Sequence, residues 1–223
     1  LHWPNRGSYH FREYWNFNPT KQSAIEMDDH VQEVLSVSTD LIKEGKIRAL
    51  GLSNESTWGT MKFIEYAKQS EMTKVVSIQN EYSLLCRLFD TDLAELCHHE
   101  KIHLLSFSPL AAGLLTGKYQ NSKIPKGSRL DVTSGSSPNL SGRIGPNTFT
   151  AVKSYLKVAK KFGVDPIHMA LGFCASRPFM GSVIFGATQN EQLSHILKGL
   201  EITLSSEILT EINNVNRQYP MPI

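Results

Sequence analysis

The chain has 223 residues, and 40% apolar against 20% charged places it among globular rather than disordered proteins. Lys+Arg of 23 against Asp+Glu of 21 leaves a net charge of +2 with the charges interspersed, so no nucleic-acid partner is expected. No apolar stretch approaches the ~20 residues of a membrane span, and Cys86, Cys97 and Cys174 are too few and too scattered for a disulfide framework or a zinc ribbon.

An odd, unpaired cysteine count and an opening without a signal peptide predict a reducing compartment, the cytoplasm. The opening itself, Leu1-His2-Trp3-Pro4, reads as the tail of a buried strand running into a loop, as if a segment preceded it.

In chain order, short apolar runs alternate with helical patterns. Residues 29–44 carry Val31, Val34, Leu35, Leu41 and Ile42 at helical spacing, with Gly45 as the stop. A strand over 47–52 ends in Ser53-Asn54. A helix with Met61, Ile64 and Ala67 on successive turns follows, then a strand over 75–78 ending in Gln79-Asn80. A short helix runs from about Asp90 to His99, and a third strand over 102–107 ends in Ser108-Pro109.

Residues 113–147 break this rhythm. They are rich in Gly, Ser, Pro and Asn, and they read as one long loop of the kind that is functional or disordered. Helical spacing returns with Val152, Tyr155, Leu156 and Ala159 up to Gly163. Asp165-Pro166 fits the cap and first turn of a helix through Cys174. Residues 182–185 form a fourth strand. Thr188 to Glu191 fits a capping box for a helix to Leu197, and a last helix covers about 206–216.

Strands alternating with helices imply parallel pairing, in a doubly wound sheet or a (β/α)8 barrel. The Gly-x-Gly-x-x-Gly string of a doubly wound dinucleotide fold does not occur. A barrel predicts polar residues at the C-terminal strand ends, where His2, Ser53-Asn54, Gln79 and Ser108 stand.

Singly, each of these residues has an ordinary structural reading: a hydrogen-bonded His, turn chemistry at Ser-Asn, a satisfied Gln. Together, their amides and hydroxyls suit an uncharged carboxamide, which needs donors and acceptors at once. Phe107 offers a flat face or packs the core. Gly186-Ala187-Thr188 follows a strand and opens a helix, which places free N–H groups at an anion. The string from Gly113 to Tyr119 adds flexible backbone and Lys118, with Arg129 further along. These two cations either clamp a phosphate or simply solvate the surface.

Cys97-His98-His99-Glu100 looks metal-like, but adjacent histidines on a helix diverge, so no metal site is assigned. Asp28-Asp29 reads as dipole complementarity at a helix start. Tyr9, Phe11, Tyr14, Trp15 and Phe17 line a substrate pocket or pack their loop down.

The strings LHWP, GKIRALGLSN, SIQNEYSLL, SFSPLAAGLLTGKY and FGATQNEQL, in this order, resemble the aldo-keto reductase superfamily over essentially the whole chain. The likeness is to its Tas-like and potassium-channel-β-subunit-like branch. It implies one barrel domain over 1–223, present as about strands 4–8 of a (β/α)8 barrel, with NADP(H) bound at the C-terminal face. The implied reaction is hydride transfer between the nicotinamide and a small-molecule aldehyde or ketone.

Carried over residue by residue, His2 matches the histidine that orients the substrate carbonyl. Ser53, Asn54 and Gln79 match the carboxamide holders. Phe107 stands where relatives often stack Tyr or Trp on the nicotinamide. Ser108, Leu110 and Gly113 match the pyrophosphate loop, and Lys118 and Arg129 its basic residues. Gly186, Ala187, Thr188 and Gln192 match the 2′-phosphate segment, and His195 and Ile196 stand where relatives often carry Glu and Asn.

The family's Asp, Tyr and Lys would lie upstream of LHWP, so the resemblance implies an N-terminally truncated member. A cofactor-binding regulatory or sensor subunit is the alternative reading.

Overall fold

The computed structural model describes residues 1–8, 14 and 16–223. They divide into two compact units, 1–80 with 89–105, and 81–88 with 106–223.

In the first unit, Ser23 accepts a hydrogen bond from Glu26 N–H and starts helix α1, Ala24–Lys43. The sequence places this start near 29. The cap draws the helix earlier, although Ile25 in its first turn is exposed. Met27, Val31, Leu35 and Ser38 make its buried stripe. Asp28 therefore sits inside the helix rather than at its start, and it pairs with Lys62 at 2.9 Å; that partner replaces the dipole reading.

Strand β1, Leu50–Ser53, precedes helix α2, Thr57–Gln69, which is capped by Ser56 and packs on α1. Strand β2, Val75–Gln79, pairs in parallel with β1, setting Ser53 opposite Gln79. A Cβ on Gly51 would lie 2.6 Å from Ser77 Oγ, so glycine permits this close pairing.

Helix α3, Asp92–Glu100, turns its buried Leu93, Leu96 and Cys97 inward and ends in left-handed Lys101, φ +57°. Strand β3, His103–Phe107, pairs in parallel with β2 through Ser77↔His103 and Ile78↔Leu104. The Leu1 nitrogen donates to the Gly51 carbonyl oxygen of β1 at 2.8 Å.

The second unit opens with the segment 81–88, where Glu81 bridges Phe107 in parallel. The stretch 113–147, expected as one long loop, carries short helical turns, among them α4, Arg129–Val132, capped by Ser128.

Helix α5, Thr148–Lys161, buries Ala151, Val152, Tyr155, Val158 and Ala159 at helical spacing. Helix α6, Pro166–Ala175, has the expected Asp165 cap and Pro at its first position. Its Phe173 is fully buried and stacks on Tyr82 at 6.0 Å and 10°, while Phe179 meets Tyr82 edge-on. Truncating Phe173 to Ala would cost roughly 3–5 kcal/mol.

Strand β4, Met180–Ile184, is followed by helix α7, Asn190–Leu197, and helix α8, Ser206–Gln218, which packs on α5. The four strands form one sheet in the order β1-β2-β3-β4. Among the described residues no helix is long and apolar enough to cross a membrane.

Candidate cofactor site

Two groups of strand-end residues are assembled, one in each unit. In the first, β1 ends at Ser53, and Asn54 continues at φ +55°, a left-handed conformation that Asn tolerates better than most residues. That turn aims both side chains at the end of β2. Ser53 Oγ donates to Gln79 carbonyl oxygen at 2.7 Å and accepts from Asn54 Nδ2 at 3.2 Å. Asn54 Nδ2 also donates to His2 carbonyl oxygen at 3.0 Å.

Both amide hydrogens are thereby used, yet Asn54 Oδ1 is buried and has no hydrogen-bond partner. A buried unpaired acceptor costs ~1–3 kcal/mol until something donates to it. Gln79 takes part through its backbone, with its side chain half-buried. His2 contributes its carbonyl to this group, while its ring is exposed beside Trp3.

Behind this group, Arg6 pairs with Glu55, and Glu55 N–H donates to Asn80 Oδ1 at 3.1 Å. A Cβ on Gly59 would strike Glu55 Oε1 and Arg6 Nη2, so glycine makes room for the pair over the start of α2. Of the aromatics expected near a site mouth, Tyr9, Phe11 and Trp15 lie outside the described residues. Tyr14 is half-buried and Phe17 is exposed.

In the second unit, β3 runs into Ser108 at φ +55°, then Ala111 at +48°, Ala112 at +56° and Gly113 at +93°. Left-handed conformations at three non-glycine residues cost ~1–2 kcal/mol each and mark a loop shaped by its surroundings. Phe107 is half-buried, and its carbonyl accepts from Tyr82 N–H at 3.3 Å. Leu110 carbonyl oxygen accepts from Gly113 N–H at 2.9 Å and closes the loop.

A Cβ on Gly113 would lie 2.8 Å from Lys118 Cε and 2.9 Å from its Nζ, so the Lys118 ammonium rests against bare backbone. The same ammonium lies 5.2 Å from the Tyr119 ring centre. Tyr119 hydroxyl accepts from Leu130 N–H at 3.2 Å, which ties exposed Arg129 to this segment.

The residue that sequence reading missed is Arg143. Buried, it donates to both carboxylate oxygens of Glu81, at 2.8 and 2.9 Å, and to Ser108 Oγ at 3.3 Å. It fixes the first residue of the turned loop. Only its placement in a Gly- and Ser-rich stretch hinted at such a role.

Gly186, Ala187 and Thr188 are exposed ahead of α7. The expected capping box is not formed. Gln189 is the cap residue and makes no side-chain bond. Thr188 N–H and hydroxyl instead donate to Gln192 Oε1 at 3.0 and 3.3 Å, so this N–H is already engaged. Ile196 is buried, and His195 turns to Asp165 at 3.1 Å.

At the end of α3, the His98 and His99 rings stand at 76° to each other. Burial pushes the neighbouring Cys97 thiol up to about 12.

The sequence pattern of the aldo/keto reductase family matches residues 1–217. The chain is 35% identical over 222 residues to the protein tas of Escherichia coli, covering all of this chain and 62% of that protein. It is 33% identical over 243 residues to an aldo-keto reductase of Babesia bovis, covering 81% of that protein. It is 32% identical over 200 residues to a putative voltage-gated potassium channel subunit beta of Schizosaccharomyces pombe, covering 86% of this chain and 57% of that protein. The chain thus spans under two thirds of the tas protein's length.

Proposed function

Because the chain belongs to the aldo/keto reductase family, whose fold is the (β/α)8 barrel, we propose that its residues hold NADP(H) for reduction of an aldehyde or ketone. The four-stranded sheet with parallel β1, β2 and β3 is consistent with part of such a barrel. We treat residues 1–223 as one reductase domain, with 113–147 as its cofactor-covering loop.

The observation that carries the reading is Asn54 Oδ1, a buried acceptor with no partner beside the Ser53 hydroxyl. A carboxamide NH2 is a donor of the right kind for it, and such a group is what nicotinamide presents. The bare backbone at Gly113 under the Lys118 ammonium suits a phosphate in the same way.

When bound, the cofactor supplies a hydride to the carbonyl carbon. Ser53, Asn54 and Gln79 would orient the nicotinamide, and Phe107 would offer its ring a flat face. Ser108, Leu110, Gly113, Lys118 and Arg129 hold the pyrophosphate. Gly186, Ala187, Thr188 and Gln192 would take the adenosine 2′-phosphate, with Gln192 Oε1 giving up the Thr188 N–H and hydroxyl that it now holds. His2 orients the substrate carbonyl. The alkoxide's proton falls to the family's Tyr, whose pKa its Lys and Asp lower; the resemblance sets all three ahead of LHWP. Cys86, Cys97 and Cys174 are buried and stand in a chain too poor in cysteine for a disulfide framework, which supports a reducing compartment such as the cytoplasm.

Titration of NADPH and NADH into the chain, read by nicotinamide fluorescence, tests the binding. Preferential NADPH binding is expected, and failure to bind either overturns the reading. Similarity to channel β-subunits favours a second reading, a cofactor-carrying regulatory subunit. Steady NADPH consumption with small aldehydes selects the reductase; because the family's proton-donating Tyr is not among residues 1–223, binding without turnover selects the regulatory subunit only in a chain that carries that Tyr.

A further inference from the structure

Asp165, His168 and His195 bring one ligand atom each to within 4.8 Å of one another, in the second unit, with His195 on the same helix α7 as Gln192. We propose that these three side chains form a binding site for a divalent transition-metal ion of the zinc class.

The local structure presents the ligands well. Asp165 caps α6, and its Oδ1 accepts from Ile167 and His168 N–H at 2.8 and 3.1 Å. That fixes the carboxylate and turns Oδ2 toward His195 Nε2 at 3.1 Å. His168 Nε2 lies 2.7 Å from His195 carbonyl oxygen. A carbonyl only accepts, so this nitrogen carries the hydrogen and leaves Nδ1 with a lone pair. A backbone carbonyl holding the other ring N–H is the usual support of a metal-binding histidine.

The His168 ring is wedged against Gly199, where a Cβ would lie 2.2 Å from its Cδ2, and it stacks on His195 at 4.9 Å. Asp165 and His195 keep 32% and 43% of their side chains exposed, so an ion can enter.

Two imidazoles and one carboxylate match Zn2+, Co2+, Ni2+ or Cu2+ and not the all-oxygen shells of Mg2+ and Ca2+. Ligand atoms about a tetrahedral zinc lie ~3.3 Å apart, so small side-chain rotations close the set. The ion replaces the hydrogen between His195 Nε2 and Asp165 Oδ2. Three protein ligands leave a fourth position for water or an anion. The Asp-x-x-His spacing at the start of α6 is its one sequence signature, and His195 is supplied from α7.

The test titrates Zn2+ into the metal-stripped chain against a chromogenic chelator, with Co2+ visible absorption as a report of geometry. One equivalent is expected to bind and to raise Tm. His195→Gln should weaken binding by at least about 10–100-fold, as should Asp165→Asn, which keeps an oxygen for the cap. His98→Gln with His99→Gln should leave it unchanged. If either ligand variant fails to fold, the other supplies the readout. No bound equivalent, unchanged binding in the ligand variants, or loss of binding in the His98/His99 variant overturns the proposal.

Discussion

Arg143 reaches back 62 residues to grip both carboxylate oxygens of Glu81, and one of its terminal nitrogens also donates to Ser108. Both members of the pair are almost wholly buried. A bidentate pair of this kind fixes geometry as much as it stabilises. Here it anchors the residue at which the chain leaves β3 in a left-handed turn.

Arg143→Met should therefore destabilise the chain by ~3–5 kcal/mol, because it leaves the Glu81 carboxylate buried without its counter-charge. Adding Glu81→Leu should recover a large part of the loss, since two apolar side chains replace a buried pair at little cost. Urea unfolding of the two variants beside the parent measures this. Equal instability of single and double variants would show that the contact to Ser108, and not the charge, carries the effect.

Asn54 gives a prediction confined to one end of the cofactor. Asn54→Gly removes the unpaired Oδ1 while keeping a residue that adopts φ +55° without strain. NADPH affinity should fall about 10-fold, the equivalent of one lost hydrogen bond of ~1.4 kcal/mol. Affinity for adenosine 2′,5′-bisphosphate, which lacks nicotinamide, should not change. Calorimetric titration of both ligands separates the cases, and an equal loss for both would remove Asn54 from the carboxamide contact.

How legible these features were depends on the range of the interaction. Ser53-Asn54, Gln79 and Ser108 were readable at strand ends because a strand's apolar run stops where its polar residues begin. The Asp165-Pro166 cap was readable because a cap acts within three residues. The start of α1 was obscured by exposed Ile25, which breaks the apolar stripe that periodicity relies on. Thr188 matched a capping pattern, yet Gln192, four residues on, takes its N–H from the side. Pairs such as Glu81 with Arg143, or Asp165 with His195, are made by tertiary packing, and no local pattern announces them.

Gly113 and Lys118 supply a paired prediction. Gly113→Ala places a Cβ against Lys118 Cε and Nζ and forces alanine to φ +93°. It should cost ~1–3 kcal/mol in stability and displace the ammonium. Lys118→Met removes the charge with no backbone strain. Both should weaken NADPH and adenosine 2′,5′-bisphosphate binding together, and the Lys118→Met loss should shrink as salt rises. Unchanged affinity in Lys118→Met would return this lysine to a surface role.

Cys97 sets an alkaline limit on stability. Burial among Leu93 and Leu96 disfavours the thiolate and raises the thiol from its ordinary 9.0 to about 12. The folded value lies above the unfolded one. The contribution is therefore complete below pH 9 and is lost as pH rises toward 12, because only the unfolded chain ionises there. At neutral pH the native thiol should resist iodoacetamide, which attacks thiolates, and react freely once unfolded. Cys97→Ala should lower stability near neutrality by ~1 kcal/mol for the vacated volume, and it should flatten the alkaline decline. Lys and Tyr side chains titrate over the same interval in both proteins, so the informative quantity is the difference between their urea midpoints at about pH 8 and about pH 10. A parent and variant that lose stability in parallel would show that another group sets the limit.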